Sequence, residues 1–306
     1  MNNFVDRSSK DFQEEVNLRE IIFALESSRM LIVIMVSFAT LVGVIYSLLA
    51  PQIWTSQALL TIAESETPSV GSSSLGGLAS IAGLNSSEGN IQGSKALAKV
   101  KSREFFDHLA EFDDVLPNLM APKSFDSASR KTIFDSNIYN DESKKWVDGR
   151  PANWIAYKEY LKNVTIIMDP KTSFITISIT NRSPFFAESF LSLIIKEVNS
   201  QSRKKDLKES SDSLNYLYKE LVSSTQTEVR VTISQLIESQ LKKQMLARVK
   251  TDYILEGLDK PFVPQERTSP QRTRITIISF FLGLILAVFF TLIRFYVKKN
   301  FAKFDT

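Results

Sequence analysis

The stretch PFVPQERTSPQRTR at positions 261–274 runs directly into ITIISFFLGLILAVFFTLI at positions 275–293. The second part has no charged residue and is held between Arg274 and Arg294. Its 19 residues would cover roughly 28 Å as a helix, close to the hydrocarbon thickness of a bilayer. We therefore predict a transmembrane helix at 275–293. Pro261, Pro264 and Pro270 cannot lie inside a helix, so they predict an extended or kinked segment that lies at the membrane surface.

A second apolar stretch, MLIVIMVSFATLVGVIYSLL, occupies positions 30–49, and no charge occurs between Arg29 and Glu64. A cleaved signal peptide is the alternative interpretation. It fits poorly, because the preceding segment is long and carries six acidic residues, and no clear small-residue cleavage site follows. The sequence therefore predicts two membrane spans, one near each end of the chain.

The two spans divide the chain into five parts: a tail at 1–29, a span at 30–49, a domain at 50–274, a span at 275–293 and a tail at 294–306. Lys and Arg are enriched in both tails, whereas none follows the first span until Lys95. Positive charge favours the cytoplasmic side. Arg267, Arg272 and Arg274 oppose this orientation, but long loops cross the membrane largely regardless of charge. We expect cytoplasmic termini and a periplasmic domain.

Composition restricts the chemistry. The chain has no cysteine and a single histidine, His108, so thiol catalysis and thiolate metal sites are excluded. A net charge of +3 over 306 residues is too small to indicate the basic surface of a nucleic-acid-binding protein. Acidic pairs such as Asp113-Asp114 have the residue types of a glycosidase, but pairs in polar loops are usually solvated. We therefore predict a non-enzymatic protein with no cofactor and no bound metal.

The domain between the spans has mixed helix and strand patterns. A strand is expected at 53–62, a loop rich in Ser and Gly at 65–94, and a helix at 94–111 capped by Ser94. Residues 112–150 are polar and irregular. A helix at 153–161 would present Trp154, Tyr157, Lys158 and Leu161 on one face. A hairpin of strands 164–168 and 174–180 follows around an Asp-Pro turn, with alternating isoleucines on its buried face.

Ser183-Pro184 is a typical helix start, and neither Pro nor Gly interrupts the helical pattern from there to Gly257. A continuous helix at about 184–256 would be roughly 110 Å long. Its apolar stripe predicts helix–helix contacts, within the chain or between subunits. The stripe residues are Leu214, Leu217, Leu221, Leu236, Leu241 and Met245.

Several segments resemble the chain-length determinant (Wzz-type) polysaccharide co-polymerases of bacterial inner membranes. The most specific is 253–272, in which Pro261, Pro264 and Pro270 precede Arg272 and the second span. Residues 181–199 are similar to the segment after the family's hairpin, residues 236–247 to its long helix, and residues 54–60 to its first strand.

The resemblance implies an α+β fold: two transmembrane helices flanking a periplasmic α/β base domain with a long extended helical arm. It also implies a ring-shaped homo-oligomer that sets how many repeat units an O-antigen polymerase adds to a lipid-linked glycan. The ring would hold polymerases or polymer, or the second span would contact the polymerase directly.

For such a direct contact, the prolines would aim the span, and Gly283 with Ala287 would permit close helix approach. The plainer alternatives are a rigid exit from the long helix for the prolines, and ordinary lipid-facing residues for the small pair.

Two other functions stay open from the sequence. The first is a membrane component of a capsule or exopolysaccharide export complex, or the partner of a separate tyrosine kinase. The second is a two-span sensor. A sensor would need a signalling domain after the second span, and only thirteen residues follow it.

Overall fold

The structure, a computed structural model, describes residues 25–63 and 87–304. The predictions made for the first 24 residues and for most of the Ser- and Gly-rich loop lie outside the described residues. In chain order the elements are α1 (Arg29–Leu49), β1 (Trp54–Ile62), α2 (Ser87–Val100), α3 (Arg103–Leu109), α4 (Val115–Met120), β2 (Pro122–Asp126), β3 (Lys131–Phe134), β4 (Tyr139–Asn140), β5 (Lys145–Trp146), α5 (Asn153–Asn163), β6 (Val164–Met168), β7 (Ile175–Asn181), α6 (Pro184–Ser223), α7 (Thr227–Val249), β8 (Leu255–Asp259) and α8 (Arg272–Phe304).

These elements form two compact units. The first contains α1 and α8, and the second contains residues 52–268. In the first unit, Arg29–Leu49 and Arg272–Phe295 are long and apolar enough to cross a membrane. Only 11% and 17% of their apolar windows are buried within the chain. A core helix of a soluble protein would be mostly buried, so this exposure favours contact with lipid.

The second unit is built on a four-stranded sheet in the order β6-β7-β1-β8. Every pairing in it is antiparallel, and β1 lies between β7 and β8. The predicted hairpin is confirmed as β6 and β7. Ile175, Ile177 and Ile179 are fully buried, because successive side chains of a strand point to opposite faces. The α+β class with a helical arm is likewise confirmed.

The first half of α6 covers the sheet. Ser183 caps it by accepting a hydrogen bond from the Phe186 amide (3.3 Å), and Pro184 occupies the first helical position, as predicted. Buried side chains then recur every three or four residues, which places them on one face of the helix. They join the sheet isoleucines in one core and include Phe186, Phe190, Leu191, Ile194 and Val198.

Helix α5 packs through a different face from the one predicted. Ala156 and Tyr160 are buried, whereas Trp154 is 50% exposed and Leu161 is also exposed. The Tyr160 hydroxyl donates to the Val100 carbonyl at 2.8 Å, so this ring can be buried without leaving its polar end unpaired. Burial also raises the pKa of Tyr160.

Two further predictions are corrected in the region before α5. The helix expected at 94–111 is two helices, because Ser102 caps α3 by accepting from the Phe105 amide at 3.2 Å. Ser94 is inside α2 rather than at its cap. Residues 112–150 are not irregular: they contain α4 and two two-stranded sheets. Pro117 is accommodated in the first turn of α4, where its missing N–H is not needed.

The helix expected at about 184–256 is also wrong in its continuity. It is an antiparallel pair, α6 and α7, joined by extended backbone at residues 224–226. The sequence there is Ser223-Ser224-Thr225, and short hydroxyl side chains compete with helical hydrogen bonding. The Ser223 hydroxyl donates to the Glu220 carbonyl at 3.0 Å. We call the outer part of this pair, residues 207–246, the helical arm.

A buried asparagine holds the chain where the arm returns to the sheet. The side-chain oxygen of Asn199 accepts from the Ile254 and Leu255 amides, each at 2.9 Å. Its amide nitrogen donates to the Leu255 carbonyl at 2.8 Å. All the hydrogen bonds are made to backbone that enters β8, so Asn199 fixes the position of this edge strand against α6.

In the first unit, α1 and α8 approach each other through small side chains. A Cβ added at Gly283 would lie 2.6 Å from the Cβ of Ala39, and one added at Gly43 would collide with the Ser279 side chain. Ala287 and Thr291 are buried in the same row on α8. We call this close contact the glycine seam. Small residues allow helices in a membrane to pack closely.

Replacing Asn199 with Ala should destabilise the base, because it leaves buried backbone groups of β8 unpaired. We expect a loss of about 2–4 kcal/mol in the free energy of unfolding, seen as a Tm lowered by roughly 5 °C or more. Thermal unfolding of the purified full chain by circular dichroism measures it. Asn215→Ala, at an exposed position of the same helix, is the matched control and should leave Tm unchanged or raised. Equal Tm values for the two variants would contradict the role given to Asn199.

Gly283→Ala should push α1 and α8 apart, because the new methyl group overlaps Ala39. Overpacking typically costs about 1–3 kcal/mol, so the Tm of the first unit should fall. Ala39→Gly in the same chain removes the opposing methyl group and should restore stability. Gly257→Ala is the control, since a Cβ there meets nothing within 4 Å. Failure of Ala39→Gly to rescue Gly283→Ala would argue against the glycine seam.

Candidate functional site

Within residues 25–63 and 87–304, no group of three or more His, Cys, Asp or Glu side chains is placed to hold a metal ion. The residues singled out in the sequence lie instead in three places: the helical arm, the proline segment and the glycine seam. Each of these is a packing surface rather than a cluster of reactive groups.

The single histidine is a structural residue. The Nε2 atom of His108 lies 2.9 Å from a carboxylate oxygen of Glu197 on α6. Its Nδ1 lies 3.5 Å from Glu111, and its ring packs edge-on against Phe112 at 5.7 Å. These contacts attach α3 to α6. Glu197 is 89 residues away in the sequence, so no local pattern could have indicated it.

Residues 260–268, which include Pro261 and Pro264, contain no helix. The Ser56 hydroxyl donates to the Phe262 carbonyl at 2.8 Å, and the Thr268 amide donates to the Ile53 carbonyl at 2.8 Å. Pro264 is buried and Pro261 is half-buried. Between these two hydrogen bonds the chain runs beside β1. Pro264 therefore acts as packed structure in the second unit.

Pro270 and Arg272 belong to the first unit. Pro270 is buried, the Ser269–Pro270 peptide bond is cis, and α8 begins at Arg272. The Arg272 carbonyl accepts from the Thr276 hydroxyl at 3.0 Å. These two residues thus mark the point where the extended segment ends and the apolar helix starts.

The structure divides the predicted apolar stripe into two sets. Leu214 is buried, and Leu217 and Leu221 pack beside it against Ile233 and Ile237 of α7. This is the within-chain contact that the sequence left open. Folding back at residues 224–226 brings together positions that a continuous helix would keep apart.

The other half of the stripe stays open. Leu236, Leu241 and Met245 are 46%, 44% and 58% exposed. Val231 and Val249, which are also exposed, lie at the same angle around α7 and about 160° from buried Ile233, at 3.6 residues per turn. Helix α7 therefore has apolar side chains on its outer face as well as against α6. Sequence periodicity alone could not separate the two sets, because the direction of the buried face depends on where α7 meets α6.

A shallow groove of about 470 Å³ runs between the two helices of the arm. Tyr216 and Leu217 of α6 and Leu236 and Gln240 of α7 contribute to its lining. Tyr216 was not among the predicted residues, since its hydroxyl and aromatic ring do not stand out in a helix with many polar positions.

The foot of the arm is held by charged side chains. Arg203 donates to the carbonyls of Lys250 and Thr251 at 2.7 and 2.6 Å. Asp206 pairs with Lys243 at 2.9 Å and accepts from the Tyr253 hydroxyl at 2.7 Å. Burial and the hydrogen bond to Asp206 raise the pKa of Tyr253. These bonds join α6 to the end of α7 and to residues 250–253. They separate the outer part of the arm from the sheet.

Comparison with known proteins gives one family match. Residues 14–111 match the family model described as Wzz, chain length determinant protein. No curated protein matches the sequence.

Solved structures similar to the chain include a full-length bacterial polysaccharide co-polymerase, at 16% identity and a TM-score of 0.43. That match covers 92% of this chain and 99% of the other. Another is a fragment of WzzB, a polysaccharide co-polymerase from Salmonella Typhimurium, at 18% identity and a TM-score of 0.34. It covers 72% of this chain and 100% of the fragment.

The family match includes α1 and also β1, where residues 54–60 resemble the family's first strand. The resemblance found in the sequence is confirmed over residues 14–111, where the chain is similar to the chain length determinant family.

Proposed function

We propose that this protein regulates the chain length of a bacterial surface polysaccharide of the O-antigen type. It acts without catalysis, as an inner-membrane scaffold for the polysaccharide polymerase and its lipid-linked glycan. The observation that carries the proposal is the chain length determinant match at residues 14–111, together with apolar helices near both ends of the chain.

In this proposal both termini are cytoplasmic and residues 50–274 are periplasmic. The positive charges of the two tails support the orientation. The folded unit of residues 52–268 contains neither candidate span, so it can lie entirely on one side of the membrane. Such a position would place the helical arm where a growing periplasmic polymer is accessible.

We further propose that copies of the chain assemble into a ring through their arms. The arm's own core is small: three buried side chains, Leu214, Ile233 and Ile237, with two more packed against them. Apolar residues on the outer face of α7 gain stability only if another surface covers them. A second copy of the same arm would do so, and the groove beside Leu236 would receive its side chains.

The function is tested by deleting the gene and restoring it on a plasmid. If the protein sets chain length, deletion should convert a clustered ladder of surface polysaccharide on a gel into a short, unregulated distribution. The restored gene should bring the cluster back, with its product checked by immunoblot. Polymer that accumulates inside the cell would instead support a role in export. A ladder that deletion leaves unchanged would contradict both functions.

The assembly proposal is tested by Leu236→Glu. A carboxylate at this partly covered position would have to be desolvated in an arm-to-arm contact, which is costly. We expect a smaller particle by size-exclusion chromatography with light scattering, and loss of the modal cluster in cells.

Val222→Glu provides the matched control for the assembly test. Val222 is an aliphatic residue at the end of α6 that is 87% exposed and does not line the groove. Its replacement should leave the particle size unchanged. A Leu236→Glu protein with the wild-type particle size would refute assembly through this groove.

A further inference from the structure

The second unit contains a small concave site that the chain length function does not by itself assign. It has a volume of about 270 Å³, at the small end of the range for ligand pockets. It is therefore sized for one ring rather than for an extended oligomer. The apolar side chains of Met120, Ile138 and Trp146 line it, together with the polar side chains of Asn137, Asp148 and Arg150.

The walls of this site are held in place before any ligand arrives. Trp146 pairs with Tyr139 across the β4–β5 hairpin, with ring centroids 5.0 Å apart in an edge-on arrangement. The Val147 amide donates to the Ile138 carbonyl at 3.1 Å. Gly149, which also lines the site, has φ +85°, a conformation that glycine adopts without strain. Binding would thus require little ordering of the backbone.

Arg150 connects the rim of the site to the core of the unit. One of its terminal nitrogens donates to the Ala110 carbonyl, at the end of α3, at 2.9 Å. A guanidinium carries five N–H donors, so others remain to meet a ligand. The contact also fixes the direction of the side chain, which makes Arg150 a positioned donor rather than a mobile surface charge.

The remaining polar groups on the rim are free to accept or donate. In the part of the chain that the structure describes, the Asp148 carboxylate and the Asn137 side-chain amide make no hydrogen bond and no ion pair within the protein. The amide supplies both a donor and an acceptor, and the carboxylate supplies acceptors. Together with Arg150 they form a mixed rim with one negative and one positive charge.

We propose that this site binds one neutral sugar ring of the polysaccharide whose length the protein regulates, an inference that rests on the proposed function. A pyranose has C–H groups that pack on an aromatic ring, because the ring face carries partial negative charge. Its hydroxyl groups both donate and accept, which matches the mixed rim. The charges of Asp148 and Arg150 offset each other, so the rim has no net charge to attract an acidic sugar, and its mixed donors and acceptors suit an uncharged one.

Binding can be measured on the full chain in lipid nanodiscs by saturation-transfer difference NMR. Nanodiscs are needed because maltoside detergents carry sugar headgroups. The probe is the oligosaccharide mixture released by partial acid hydrolysis from the surface polysaccharide of the source strain. We expect saturation transfer to neutral sugar protons, with affinity in the millimolar range. Trp146→Ala and Asp148→Asn should each weaken binding at least tenfold.

Trp154→Ala is the matched control, since it removes another partly exposed tryptophan that does not line the site. It should bind the probe as the wild type does. Asp148→Asn changes an exposed rim residue and should leave the circular dichroism spectrum unchanged, which separates lost binding from lost folding. The proposal is overturned if no neutral sugar shows transfer, or if Trp146→Ala and Asp148→Asn bind like Trp154→Ala.

The sugar site and the proposed function fail in distinguishable ways. The NMR result depends only on the purified protein and the probe, whereas the ladder of the deletion strain depends on regulation in the cell. An unchanged ladder would remove the regulatory function even if a sugar binds. A changed ladder with no sugar binding by NMR would keep the function and eliminate this site.

Discussion

Three polar side chains of α6 hold the chain that returns from the helical arm to the sheet. Asn199 binds the backbone entering β8, Arg203 binds the carbonyls that follow α7, and Asp206 binds Lys243 and Tyr253. These three residues lie on successive turns of one helix face. The chain that leaves the sheet along α6 and the chain that returns after α7 are thereby fixed beside each other. The edge strand β8 is therefore held in place by α6 and not by the outer part of the arm.

The two halves of α6 differ in how much apolar packing stabilises them. Its first half lies in a core with the isoleucines of β7, several phenylalanines and Tyr160. Among the described residues, the buried apolar side chain of its second half, Leu214, packs against two isoleucines of α7. Regions with few buried apolar contacts open at lower free energy than the core. The base is thus a rigid platform, while the arm is the part that gains most from a partner surface.

The parts of this architecture that local chemistry controls were predictable, and the parts set by tertiary contact were not. Alternating isoleucines gave the hairpin, and Ser183-Pro184 gave the start of α6. The break at 224–226 was missed because it contains neither proline nor glycine; serine and threonine hydroxyls and the burial of Leu214 produce it together. Sequence analysis did not group Trp146, Asp148 and Arg150 as a site. Met120, which completes the lining, and the Ala110 carbonyl, which holds Arg150 in place, both belong to earlier parts of the chain.

The glycine seam changes what a direct contact between the second span and a polymerase would require. Gly283 already faces Ala39 of α1 with no room for a further methyl group, and Ala287 is fully buried. Another protein could use these two residues only by displacing α1, which would expose the close packing that holds the pair together. A partner that leaves the pair intact must instead meet the large side chains exposed on α8, such as Phe281, Ile285 and Phe289. Specificity for a polymerase would then depend on the shapes of aromatic and branched side chains in lipid, where burial of apolar surface contributes little and fit contributes most.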